Sequence, residues 1–176
     1  MNFKTKDLIY GSFFLALGLI IPYFFHLLGI GGQIFLPMHL PVLLCGFILG
    51  SRYGLIVGFI TPLLSSILTG MPPIYPVGFA MAFELSAYGF ISGYLYNKMR
   101  WNVIPSLASA MLIGRVMSGI ANYLLITFGG KQFILKMFLT AAFIRSIWGI
   151  VIQLILIPII IKSLEKSIGR IGVNEQ

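Results

Sequence analysis

Acidic residues are scarce: Asp and Glu number four in 176 residues. Asp7, Glu165 and Glu175 sit near the ends, which leaves Glu84, in AMAFELSAYG, as the only acid in a long apolar interior. Charged residues of both signs make up 9% of the chain, against about 25% in soluble domains. Too few polar groups remain to cover a water-facing surface, so a soluble fold is excluded. Cysteine occurs once, as Cys45 in LPVLLCGFILG. That rules out an internal disulfide and argues against a thiolate metal cluster, so Cys45 reads as a small packing residue. The two histidines, His26 and His39, show no ligand spacing, so neither a metal nor a cofactor is expected. No GxxxxGK[ST] occurs, so the chain is not expected to hydrolyse ATP itself. One acid with two arginines supplies neither a nucleophile–base pair nor metal ligands, which argues against an enzyme. MNFKTKD carries lysines, but no small-residue cleavage site follows a short apolar core, so no signal peptide is expected.

Apolar residues are abundant, at 59% of the chain. They fall in runs of roughly 20, the length a helix needs to cross about 30 Å of hydrocarbon. The expectation is an all-α integral membrane protein, one domain over 1–176, with six transmembrane helices. The spans are placed near 8–28, 35–50, 53–70, 76–97, 103–127 and 138–162. The second is short, and SRY alone separates it from the third, so the pair also reads as a re-entrant hairpin. Lys4, Lys6, Arg52, Lys98, Arg100, Lys162, Lys166 and Arg170 fall on one side of this arrangement, and Lys131 and Lys136 on the other. The positive-inside rule then puts both N- and C-termini in the cytoplasm. The net charge of +8 is largely this topology signal. It requires no nucleic acid, although basic ends favour anionic membrane lipid.

Arg115 and Arg145 lie inside apolar runs, as Glu84 does. An ionisable group near the bilayer centre costs at least ~2.5–3.5 kcal/mol and usually faces a protein interior or a wet cavity with a partner. Two readings stand together: a structural ion pair that joins helices, and a polar pocket for a small ligand. Glu84 is expected about eight residues, or roughly 12 Å, below the outer rim, with Arg145 at comparable depth and Arg115 near the midplane. Arg115, Ser118 and Asn122 share a helix face, as do Glu84 and Tyr88. Arg145, Trp148 and Gln153 fall within one broad sector. His39 and Tyr75 sit near the same outer side, with Tyr123 above Arg115. The competing readings are plainer: His39 as a helix-start polar residue, and Tyr75, Tyr123 and Trp148 as packing or interfacial aromatics. The loops IGIGGQI, TGMPPIYP and TFGGKQF fall outside, where a lid belongs. Gly46, Gly50, Gly54 and Gly58 recur every four residues, and Gly89 and Gly93 form a GxxxG. These patterns read as close helix packing.

FLPMHLPVLLCGFILGSRYGLIVGFITPLLSSILTGMPPIYP, the following AMAFELSAYGFISGYLY and a fifth span with an interior Arg115 together resemble the S-components of energy-coupling factor (ECF) vitamin transporters. The resemblance extends over most of the chain. It implies a multi-pass protein of a prokaryotic cell membrane that binds a small vitamin or vitamin precursor from outside. It also implies a transmembrane coupling protein (T-component) and two ATP-binding ATPase subunits as partners, with delivery by toppling in the membrane. The family docks through a small-xxx-small motif on its first helix, matched here by Ser12 and Ala16 with serine in place of the first alanine. An arginine left free by Glu84 would suit a carboxylate, which gives a weak lean to pantothenate, with folate or nicotinate as other acids. A free Glu84 would instead suit hydroxymethylpyrimidine or a pyridoxine-type compound. The alternative is a stand-alone proton-coupled secondary carrier that uses Glu84, although no inverted repeat is visible.

Overall fold

The computed structural model describes residues 5–29 and 32–168. Lys4 and Arg170, two of the cations in the topology argument, lie outside the described residues, as does part of the IGIGGQI loop. Among the described residues every regular element is helical. In order they are α1 (Thr5–Leu27), a short α2 (Gly32–Phe35), α3 (His39–Leu49), α4 (Ser51–Thr69), α5 (Phe79–Gly93), α6 (Val103–Phe128), a short α7 (Leu135–Leu139) and α8 (Ile147–Ile168). Wide, π-type turns extend α5 at both ends, over Ile74–Gly78 and Tyr94–Lys98, and a third over Thr140–Arg145 joins α7 to α8.

Among the described residues, five helices are long and apolar enough to cross a membrane: Thr5–Leu27, Ser51–Thr69, Ile74–Lys98, Val103–Phe128 and Ile147–Ser167. The expected second span appears as α3, with only 11 helical residues. At 1.5 Å per residue that is roughly 16 Å, about half the hydrocarbon thickness. Leu36–Met38 is the reason: Leu36 is held at a φ of 50°, and Pro37 has no amide to continue a ladder. Gly50 alone separates α3 from α4. Its φ of 93° and ψ of 176° belong to a region open to glycine and almost closed to other residues.

α5 is the central helix, packed against α3, α4 and α6. Glycine makes this packing close. A methyl group on Gly54 would fall 2.6 Å from the Gly89 carbonyl carbon, and one on Gly58 2.6 Å from the Leu85 carbonyl carbon. Backbone therefore lies against backbone, the close approach that small residues permit between membrane helices. Val42, Leu43, Phe47, Leu85, Leu107 and Ile157 fill the interior around this seam. The outward faces are also apolar: Ile9, Phe13 and Phe24 on α1, Val116 and Ile120 on α6, and Ile155 and Ile159 on α8 are all exposed. A continuous apolar exterior of this extent marks a lipid-facing surface.

Candidate functional site

α5 presents Glu84 and Tyr88 one turn apart to the interior, and both are buried. α6, packed beside α5, carries Arg115 and Ser118 on its buried face. Arg115 Nη1 meets Glu84 Oε1 at 2.7 Å, with the two residues 8% and 4% exposed. At that burial the desolvation of both charges rivals their attraction, so losing either partner alone is costly. His39 opens α3 and brings Nε2 to 3.5 Å from the same Glu84 oxygen. The His39 ring stands edge-on to Tyr88, with 5.3 Å between centroids. Arg115 Nη2 donates to Ser146 Oγ at 3.2 Å, and Ser146 Oγ donates in turn to the Ala142 carbonyl at 2.5 Å. Four segments thus converge on one carboxylate and one guanidinium.

His39 Nδ1, the Tyr88 hydroxyl and Arg115 Nε in this convergence, and both amide atoms of Gln153 on α8, are buried with no hydrogen-bond partner among the described residues. Gln153 is 1% exposed and lies one turn beyond Gly149, which packs on the backbone of Ile34 and Phe35 just ahead of α3. Unsatisfied buried polar groups are costly, and several facing the same interior make a site able to hydrogen-bond a polar guest.

The other candidate residues lie apart from this cluster. Asn122, half-buried, donates to the Ser118 carbonyl at 2.8 Å. Tyr123 is exposed and sits edge-on to Phe133, with 5.7 Å between centroids. The Tyr75 hydroxyl donates to the Leu125 carbonyl and ties the MPPIYP segment to the end of α6. Arg145 and Trp148 are exposed, Trp148 at 63%. The broad sector expected for Arg145, Trp148 and Gln153 is therefore split. At about 100° per residue Trp148 stands roughly 140° from Gln153, and Arg145 roughly 80° from it, so the sector was too broad to be one face. Ser146, seven residues before Gln153, shares its face on the same wheel and takes the inward place, buried as Gln153 is. Ser146 was not among the residues expected from sequence. Its signal is the small and polar stripe Ala142, Ser146, Gly149 and Gln153, spaced four, three and four apart.

Two grooves lie away from this cluster. A groove of about 610 Å³ runs along Leu135, Leu139 and Phe143, and another of about 490 Å³ lies by Tyr96 and Lys162. The Glu84 cluster itself is buried. Gly114 helps to close it, because the Tyr88 ring occupies the space where a side chain at Gly114 would begin. Gly114→Ala is expected to push Tyr88 aside and to destabilise the protein by about 1–3 kcal/mol, the cost of overpacking a core. Unfolding of the purified variant in detergent checks this, and unchanged stability would mean that the Tyr88 ring has room to yield.

Residues 6–161 match the family model described as ECF transporter, substrate-specific component. No curated protein and no solved structure matches the chain. The family match spans most of the described bundle, its apolar exterior and its buried polar cluster, and the chain belongs to the ECF transporter substrate-specific component family.

Proposed function

We propose that this S-component captures a small vitamin or vitamin precursor from outside the cell at the Glu84–Arg115–His39–Tyr88 cluster. The observation that carries the reading is the convergence of a buried ion pair with unpartnered buried atoms of His39, Arg115 and Gln153. Such a cluster is costly as mere packing and favourable once a polar guest completes it. The substrate enters by displacing α7 and the Thr140–Arg145 turn, whose apolar side chains are largely exposed. Glu84 is engaged by Arg115, and Arg145 has no acid in ion-pair range among the described residues. Arg145 is then the cation available to a carboxylate, which keeps the lean to pantothenate ahead of nicotinate, folate, hydroxymethylpyrimidine or a pyridoxine-type compound. Asn122, Tyr123, Trp148 and Tyr75 line the approach from the outer side.

In this reading the chain crosses a prokaryotic plasma membrane six times, with both termini cytoplasmic and α3 paired with α4 to complete the second and third crossings. α1 docks on the coupling protein through Ser12 and Ala16, both exposed on that helix, while Gly11 and Gly18 face inward. Two ATPase subunits drive the cycle, and toppling of the chain delivers the substrate.

Native mass spectrometry of the detergent-purified protein tests the capture step. One vitamin per chain is expected, lost in Arg145→Ala if that vitamin carries a carboxylate. A chain that arrives empty and takes nothing from a vitamin mixture would overturn the reading. Uptake in liposomes without the ATPase module, abolished by collapse of a pH gradient, would replace it with the proton-coupled carrier.

A further inference from the structure

The groove of about 490 Å³ lies at the end of the bundle away from the MPPIYP loop, where α5 runs out, α6 begins and α8 passes. Tyr96, Trp101, Asn102, Ile104, Lys162 and Glu165 line it. Tyr96 is buried at its back and donates its hydroxyl to a Glu165 carboxylate oxygen. That bond fixes the carboxylate at the wall of the groove. Lys162 precedes Glu165 by three residues and shares its helix face. One cation and one carboxylate therefore look into the same space, beside an exposed amide, Asn102, and an indole. The rim is apolar and open, with Ile104 55% and Trp101 41% exposed.

We infer that this groove binds the headgroup of a phosphatidylethanolamine-type lipid. Lys162 and the Asn102 amide suit the phosphate, and the Glu165 carboxylate accepts from the primary ammonium. The Trp101 indole, an aromatic of the kind enriched where membrane meets water, borders the ammonium. The acyl chains run along Ile104 and Pro105 on the outer face of α6. A quaternary choline has no N–H to donate to Glu165, and a glycerol headgroup has no cation, so the site discriminates among phospholipids. The exposed apolar rim favours a lipid over a soluble phosphoethanolamine compound.

The test uses the full chain in nanodiscs of equal phosphatidylethanolamine, phosphatidylglycerol and phosphatidylcholine, with native mass spectrometry of the lipids retained on release. Phosphatidylethanolamine is expected about fivefold over phosphatidylcholine, the order that one exposed ammonium–carboxylate pair with Glu165 supplies. Glu165→Gln is expected to remove its advantage over phosphatidylcholine, and Lys162→Ala to lower retention of all three. Tyr96→Phe frees the carboxylate without changing charge and is expected to halve the preference, which covers the case that Glu165→Gln fails to fold. Retention that follows bulk composition, or a phosphatidylglycerol preference that survives Glu165→Gln, would overturn the inference. So would soluble phosphoethanolamine competing as well as the lipid. The readout does not involve vitamin capture, so its failure would leave the proposed function standing, and the reverse also holds.

Discussion

Gly89→Ala is expected to destabilise the protein by about 3 kcal/mol or more, at the upper end of single substitutions, whereas Gly11→Ala is expected to be nearly neutral. The two glycines sit in apolar helices and look equivalent by composition. They differ in what a methyl group would meet. At Gly89 it would fall on the carbonyl group of Gly54, and the Gly54 Cα lies 2.7 Å from it. Backbone cannot rotate aside as a side chain can, so α4 and α5 must separate along their whole contact. At Gly11 the nearest atom is Tyr53 Cδ1 at 3.7 Å, an ordinary contact. Alanine there gains up to about 1 kcal/mol in helix propensity. Overpacking in a core costs about 1–3 kcal/mol when side chains give way, and the larger figure for Gly89 rests on the rigidity of its neighbour. Unfolding in a graded detergent titration, read by the fraction that elutes as a monodisperse peak, measures both variants. Equal stability for the two would mean that the α4–α5 seam is not the backbone of this fold.

The seam was legible in the sequence because glycine at four-residue spacing has a direct physical meaning. Gly46, Gly50, Gly54, Gly58, Gly89 and Gly93 were expected to pack closely; Gly54, Gly58 and Gly89 lie on the α4–α5 interface, and Gly93 packs on backbone of Gly46, Gly50 and Ser51 where α3 turns into α4. The membrane class was equally legible, since scarce charge leaves no other solvent for so much apolar surface. Glu84 and Arg115 announced themselves as ionisable groups where burial is expensive, and they form the ion pair. Other features depended on backbone irregularities that no periodic reading contains. Leu36 and Pro37 shorten the second expected span to the 11 residues of α3. Arg145 stands out by its charge, but that segment buries Ala142, Ser146 and Gln153 instead. Gly114 carries no chemistry of its own, and its importance comes only from the Tyr88 ring beside it. Interior placement was therefore readable one residue at a time, and before and along α8 the small and polar stripe Ala142, Ser146, Gly149 and Gln153, rather than the charge of Arg145, marks the inward face.

The Glu84–Arg115 pair separates fold from function most sharply. Glu84→Gln leaves Arg115 with Ser146 at 3.2 Å and no acid in range among the described residues. An uncompensated buried charge of this kind costs about 3–5 kcal/mol. Arg115→Met leaves Glu84 with His39 still 3.5 Å away, so its cost is expected to be smaller, by about 1–2 kcal/mol on the scale of one charged hydrogen bond. The double variant Glu84→Gln/Arg115→Met removes both charges and keeps the volumes. Its stability is expected within about 1 kcal/mol of the parent, because replacing a buried pair by neutral groups is often close to neutral. Ligand capture should behave differently. If Arg115 and Glu84 orient the substrate, the double variant recovers its fold and remains at least about 100-fold weaker in binding, near 2.7 kcal/mol. Recovery of both stability and capture would reduce the pair to a helix clamp and move the substrate contacts to His39, Tyr88 and Gln153. A double variant that stays as unstable as Glu84→Gln would show that the pair does not act as a unit, and that Arg115 holds the bundle through Ser146 instead. Measuring unfolding and ligand retention on the same four proteins, parent, two singles and the double, distinguishes these outcomes, because one cycle reports the coupling in each quantity.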